Sequence, residues 1–399
     1  MRSPRTAAPS SASATWAAMA APSPPAIPRA PSSSCTAVER PTRMTTASPA
    51  PGLRFGVFDH MDRGTLPLAD QYEQRLQLVE AYEQAGFHMY HVAEHHATPL
   101  GIAPSPSVYL AAVAQRTTRL NFGPLVYTLS MHHPLRVAEE ICMLDQMSRG
   151  RLGVGFGRGV SPYEIGYYGV DPKDAQGLYH EGYQVIMQAL TQDTVSFSGK
   201  HFTFRDVPIE LTCYRKPLPP IWYGVGLPEG ADWAAENGIN IVCNGRAENV
   251  RAITDRYRDH WAARGQTGEL PCLGVSRHIV VAPSDAEARA TASRAYKLWL
   301  DRLMHLWVKH GTRPQSLAFP DTFDEAQEAG LGIAGSPDTV RRWVADEVER
   351  TGVNYLVCRM AFGDMRYDES LQSTQLFGRH VLAPLGAPVQ AQAASLQPA

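Results

Sequence analysis

From residue 53 onward the chain alternates short aliphatic or β-branched runs with longer amphipathic stretches, which is the pattern of parallel-sheet α/β proteins. "LRFGVFDH" (53–60) reads as a strand, and 70–86 as a helix with Tyr72, Leu76, Val79 and Tyr82 on one stripe, closed by Gly86. "HMYHVAEH" (88–95) is the next strand, followed by a helix through Thr117 with Ser105 and Pro106 as N-cap and first-turn residues. "RLNFGPLVYTL" (119–129) precedes a helix at 134–148, and "RLGVGFGRG" (151–159) precedes one at 174–192. A hairpin, "VSFSGKHFTF" (195–204), turns at Gly199. Strands "PIWYGVG", "INIVCN", "LGVSRHIVVA" and "NYLVCRMAF" complete eight, interleaved with helices at 229–237, 247–264, 285–308 and 338–351. Eight such units predict a closed (β/α)8 barrel over 53–385 with a hairpin inserted after the fourth unit; an open doubly wound sheet is the alternative. Residues 309–336 show the poorest pattern and read as an insertion or loop.

The two ends are of other composition. Residues 1–50 are rich in Ser, Ala, Pro, Thr and Arg, with Glu39 as their single acid, so they bury too little apolar surface to order themselves. They read as a disordered tail or as sequence ahead of a true start at Met44; an organellar transit peptide shares the composition. Residues 386–399 read as a second loose tail. With 37 basic and 39 acidic side chains the balance gives no support to a nucleic-acid partner, and no apolar run reaches the roughly 18–20 residues of a membrane helix. Six scattered cysteines without zinc spacing suit reduced thiols in a cytoplasmic protein.

In either architecture chemistry belongs at the carboxyl ends of the strands. Those ends carry Asp59 and His60, then Glu94, His95 and His96, then His132 and His133, then Arg158, with Arg277 and Arg359 in or near the last two. Histidines gathered in this way suit proton transfer near neutral pH. A metal centre is the rival reading, opposed by alternation, which turns adjacent His95 and His96 to opposite faces. Gly153, Gly155 and Gly157 leave one face of the fourth strand bare, either for close backbone packing or for a flat ligand. Tyr127, Tyr163, Tyr167, Tyr168 and Trp222 suggest an apolar pocket. "YGVGLPEG" (223–230) lacks the third glycine of a dinucleotide loop but opens a helix whose N–H groups suit a phosphate.

"VAEHH" (92–96), "HHPLRVAEEICMLDQMSRGRLGVGFGRG" (132–159), "DWAAENG" (232–238) and "GSPDTVRRWVADEVERTGVNYLV" (335–357) together resemble the bacterial luciferase-like flavin-dependent monooxygenases. The resemblance implies a (β/α)8 barrel in which reduced FMN, delivered by a separate flavin reductase, reacts with oxygen through a flavin hydroperoxide to oxidise an aldehyde or other small organic substrate. It implies His95 as the catalytic histidine with Glu94 orienting it or sharing its proton, and His96 in support. Arg158 maps onto the arginine that meets the FMN phosphate, and Gly157 replaces a cysteine, enlarging the space beside the ring. Leu125–Val126 stands where the family often has a non-proline cis peptide, there between two alanines. The family's Glu, Ser and Thr phosphate ligands are replaced by Gly226, Leu227 and Gly230, leaving backbone N–H groups and Arg158 for that task. A homodimer or related heterodimer is implied as well. A deazaflavin cofactor, a non-catalytic flavin-binding subunit and, outside the family, a barrel metallohydrolase are the alternatives.

Overall fold

The computed structural model describes residues 52–265, 268–314 and 319–386; the expected N-terminal tail, the start at Met44 and the C-terminal tail beyond Gly386 lie outside them. Parallel strands form a nearly closed barrel wrapped by helices. The strands are β1 (Arg54–Asp59), β2 (Met89–Val92), β3 (Asn121–Pro124), β4 (Tyr127–Thr128), β5 (Val154–Gly157), an inserted hairpin β6 (Thr194–Ser198) and β7 (Thr203–Pro208), then β8 (Ile221–Gly224), β9 (Asn240–Cys243), β10 (Leu273–Val281), β11 (Gly332–Gly335) and β12 (Tyr355–Arg359). Hydrogen bonding follows the order β3-β2-β1-β12-β10-β9-β8-β5-β4, with β11 beside β10.

The two ends of that path, β3 and β4, are halves of the one strand expected over 119–129. They are separated by a cis peptide between Leu125 and Val126. The first half pairs with β2 and the second with β5, and a bridge between Phe122 and Leu152 brings the ends together. The expected eight-strand closure is therefore present, with its third strand in two pieces.

Strand alternation decides what fills the barrel. Met89, Trp222, Val242, Tyr355 and Val357 pack in its interior, where the His91 Nε2 lies 2.9 Å from the Tyr355 hydroxyl. The alternate positions Val57, Val154, Ile241, Val275 and Leu356 face the helices. Each large apolar side chain so buried contributes about 1.5–3 kcal/mol. The first helix, Leu68–Ala85, ends at Gly86, whose φ of 90° permits the left-handed cap.

One alternative is decided and two expectations change. The bare face of β5 is closed by backbone packing: an added Cβ at Gly155 would lie 2.6 Å from the Pro124 carbonyl oxygen. Those glycines let the chain around the cis bond lie against β5. Residues 309–336 hold more structure than their pattern showed, namely a helix Phe323–Glu328 started by a Thr322–Glu325 capping box, followed by β11. Ser105 stands at the N-cap position of its helix but makes no side-chain cap bond.

Candidate active site

At the carboxyl ends of β2, β4, β5 and β8 lies a cavity of about 380 Å³, within the range of small-molecule sites. His95, Glu94, Leu125, Val126, Gly157 and Arg158 all line it, so three stretches distant in sequence meet at one wall. Phe58 and Tyr223 add aromatic surface.

β2 stops at Val92, and Glu94, His95 and His96 occupy the loop that follows, turned by Ala97 at a φ of 54°. His95 is held from the next wall. Its Nδ1 lies 3.3 Å from Oε1 of Glu164, whose Oε2 accepts the His96 backbone N–H at 2.7 Å. Burial disfavours the charged imidazole, but the Glu164 contact and the charges of Glu94 and Asp62 outweigh it and hold His95 above its ordinary value. Glu164 sits in the first turn of the short helix Pro162–Tyr167, where Ser161 Oγ accepts the Glu164 N–H at 3.3 Å. In an ordinary capping box the glutamate would turn back to its own N-cap. Here its side chain goes to the histidine loop instead.

Glu94, expected to orient His95 or to share its proton, reaches that histidine through its charge, and its hydrogen bonds go elsewhere. Its Oε1 lies 2.8 Å from Nε2 of both His96 and His132, and its Oε2 accepts the Thr128 N–H at 3.1 Å. Burial would raise this carboxyl, yet the bonds from His132 and His96 hold it below its ordinary value, and His132 is held above its own by the same carboxylate against the effect of burial. His96 stands behind the cavity wall, with Nδ1 2.7 Å from the Tyr168 hydroxyl. Among the described residues no group of three His, Cys, Asp or Glu side chains is placed to hold a metal ion. His133 turns away to pack edge-on against Phe202 and Phe204.

Arg158, just past β5, donates from Nε to the Gly159 carbonyl at 3.3 Å. Half-buried, it is held below its ordinary value by burial, with the neighbouring Tyr223 acting in the opposite sense. Gly157 does not widen the cavity: an added Cβ there would lie 2.4 Å from Val126 Cγ2, so the valine side chain fills the space the glycine leaves. Gly226, Leu227 and Gly230 are not brought into the lining. The Gly230 N–H is spent on the Leu227 carbonyl at 3.1 Å, and Tyr223 and Gly224 form the wall on that side. Of the expected aromatic wall, Tyr127 is buried against Ser107, its hydroxyl 2.6 Å from Ser107 Oγ, and Trp222 lies in the barrel interior. Tyr179 and Tyr223 line the cavity instead. Glu164, Tyr179, Tyr223 and Phe58 are among the lining residues that sequence reasoning missed; the S-x-x-E spacing at 161–164 was a signal for Glu164.

An apolar, partly aromatic slot with one cation at its rim and open space beyond Gly224, where an added Cβ would meet nothing within 4 Å, fits a flat ring system carrying an anionic tail.

Comparison with known proteins agrees with the fold. The model of the luciferase-like monooxygenase family matches residues 53–355. The uncharacterized protein y4wF of Sinorhizobium fredii is 42% identical over 84% of this chain and 98% of its own. The oxygenase component of the flavin-dependent trigonelline monooxygenase of Acinetobacter baylyi is 27% identical over 60% of this chain and 68% of its own. Among solved structures, the oxygenating constituent of the 3,6-diketocamphane monooxygenase of Pseudomonas putida, in complex with FMN, superposes with a TM-score of 0.70 at 20% identity, over 84% of this chain and 100% of its own.

Proposed function

Since the chain belongs to the luciferase-like monooxygenase family, we propose that it is the oxygenase component of a two-component, FMN-dependent monooxygenase that oxidises a small organic substrate with molecular oxygen. The observation that carries the reading is the convergence of His95, Arg158 and the Leu125–Val126 wall on one cavity. Reduced FMN, when bound, supplies the electrons that activate oxygen; a separate flavin reductase delivers it, in the cytoplasm. The name of the trigonelline relative, an oxygenase component, supports that division of labour.

The chain's own residues divide the remaining tasks. Arg158 would hold the anionic phosphate by charge and directed N–H bonds. Phe58, Leu125, Val126 and Tyr223 would flank the ring and exclude water, which protects reactive species from wasteful decay. His95 has Nδ1 engaged by Glu164, leaving Nε2 as the atom that gives or takes a proton. Glu94 keeps His132 and His96 in place around the cavity and acts on His95 through its charge and not through a hydrogen bond. Val108 on the helix Pro106–Arg116, with Met143 and Met147 on the neighbouring helix Pro134–Ser148, is exposed, which supports assembly as a homodimer or related heterodimer.

Quenching of flavin fluorescence on titration with FMN tests the site. Mixing the photoreduced complex with oxygen then tests the chemistry, with hydrogen peroxide release and flavin reoxidation as readouts. His95→Ala is expected to bind FMN and to release its peroxide faster than the wild type, each flavin oxidised without substrate yielding one peroxide in both. Failure of both FMN and a deazaflavin to bind would refute the reading. Binding of the deazaflavin alone would reassign the cofactor, and binding without any oxygen reaction would leave a flavin-binding subunit.

A further inference from the structure

The barrel mouth holds a second polar group that the flavin site leaves unused. β10 and β12 run in register with His278 beside Arg359, so the two side chains share the inner face. Nη2 of Arg359 reaches across β10 to Oδ1 of Asn244, the residue after β9, at 2.8 Å. Arg359 is 4% exposed and His278 1%. Arg277, the residue before His278 and the register partner of Cys358, points the opposite way and is matched by Glu347 at 2.7 Å. Among the described residues no carboxylate is within ion-pair distance of Arg359; Asp62 acts on it from further off, and the guanidinium carbon also stands 5.8 Å from the centroid of the Trp299 ring. Nε of Arg359, both ring nitrogens of His278 and Oγ of Ser276 are buried without a hydrogen-bond partner.

A guanidinium taken out of water without a counter-charge is unfavourable, and so is each unsatisfied donor. Burial, helped by Arg277, pushes Arg359 down to about 9, so it is still cationic at neutral pH. Burial and the nearby Arg359 and Arg277 hold His278 well below its ordinary value, which keeps it neutral, with one N–H to give. The cation lies close to the flavin cavity. Its guanidinium carbon stands 5.4 Å from the centroid of the Phe58 ring, and Phe58 lines the cavity. His60 packs edge-on against Phe58 at 4.7 Å and stacks on His95 at 5.7 Å.

We propose that Arg359, held by Asn244 and flanked by His278, recognises the organic substrate, and that this substrate is an organic acid whose carboxylate pairs with the guanidinium while its reacting end lies beside His95. The assignment rests on the monooxygenase reading. His278 donates a second bond to the carboxylate, and the donors and the charge left without an ion pair in the barrel gain a partner.

Calorimetric titration of the full chain with octanoate and phenylacetate, each against its primary amide, tests this with and without bound FMN. The acids are expected to bind about tenfold or more tighter than the amides. Arg359→Gln should erase the preference, Arg359→Lys should retain part of it, and Asn244→Ala should weaken it with the cation still present, which covers the case of an Arg359→Gln protein that does not fold. Acids that bind no better than amides, acids that do not bind at millimolar concentration, or a preference that survives in Arg359→Gln would each overturn the assignment. Because the readout is binding without turnover, acid preference in a protein that fails to bind flavin would keep the anion site and discard the monooxygenase reading, while flavin binding without acid preference would do the reverse.

Discussion

Replacing Glu164 by Gln tests the most specific feature of the site, the support of His95 from the facing wall. The two side chains are 7% and 14% exposed, so the contact is little screened by solvent. Glutamine keeps an oxygen for the His96 N–H but removes the charge opposite His95 Nδ1. Hydrogen bonds to charged groups are worth about 1.5–3 kcal/mol and neutral ones about 0.5–1.5 kcal/mol, so the substitution should cost about 1–2 kcal/mol while His95 is protonated. His95 is held above its ordinary value in the folded chain. Its contribution to stability is therefore complete below the unfolded value of about 6.5 and is lost as pH rises through the raised folded value. A tenfold change in proton affinity corresponds to about 1.4 kcal/mol. Urea denaturation of wild type and Glu164→Gln at about pH 5.5, 7 and 9 should show the largest gap in the acid and a smaller one in the alkaline range, where the His96 bond remains. In parallel, nitrogen-labelled histidine spectra, with the His95 signal assigned through His95→Gln, should show His95 losing its proton at lower pH in the variant. A gap that is constant or grows with pH, or an unmoved His95 titration, would refute the role given to Glu164.

Arg158→Met should weaken FMN binding by about tenfold or more, with Arg158→Lys recovering part of the loss, measured by flavin fluorescence. Gly157→Ala places a Cβ 2.4 Å from Val126 Cγ2 and should cost about 1–3 kcal/mol, a loss that Val126→Ala in the same chain relieves when denaturation midpoints are compared around the four-membered cycle. Arg277→Met leaves the Glu347 carboxylate buried without its partner and should cost about 3–5 kcal/mol, while adding Glu347→Leu should restore most of that stability.

The barrel was legible because its signals are local and repeat. Helices such as Pro134–Ser148 and Pro337–Thr351 carry their apolar stripes in register, and glycine closes the helices at Gly86 and Gly352. The hairpin likewise formed about Gly199, whose N–H bonds the Phe202 carbonyl at 2.9 Å. What escaped was short or two-sided. β11 is four residues, "GIAG", buried throughout, so alternation has nothing to show. The helix before it, six residues long, is under two turns and cannot display a period, although its Thr322–Glu325 cap was readable. The cis peptide at Leu125–Val126 was located by the resemblance alone; composition leaves the run 119–129 strand-like, because a cis peptide changes the backbone path without changing the side chains.

For the site, positions were readable and partnerships were not. His95, Arg158, Gly157, Leu125 and Val126 could be singled out because each stands in a motif or at a strand end, and all five line one cavity. Assigning Glu94 to His95 used adjacency, and adjacency is a poor guide where a chain alternates sides. The carboxylate that reaches His95 lies 69 residues further on, and Glu94 reaches 38 residues on to His132. Gly157 misled for the same reason. Taken alone, a glycine in place of a larger residue means added space; taken with Val126 across the sheet, it means that volume has moved from β5 to the neighbouring segment. The loop after β8 departs further, since Gly226, Leu227 and Gly230 do not line the cavity, and of the residues expected to meet the phosphate only Arg158 does. On the proposed reading, a chain that keeps His95 but redistributes volume between Gly157 and Val126, and buries a cation at Arg359 without an ion pair, would differ where ligand fit is decided and not where protons move. Substrate choice is therefore to be sought along β10 and β12 and around Val126, and the acid-against-amide titration addresses the first of these directly.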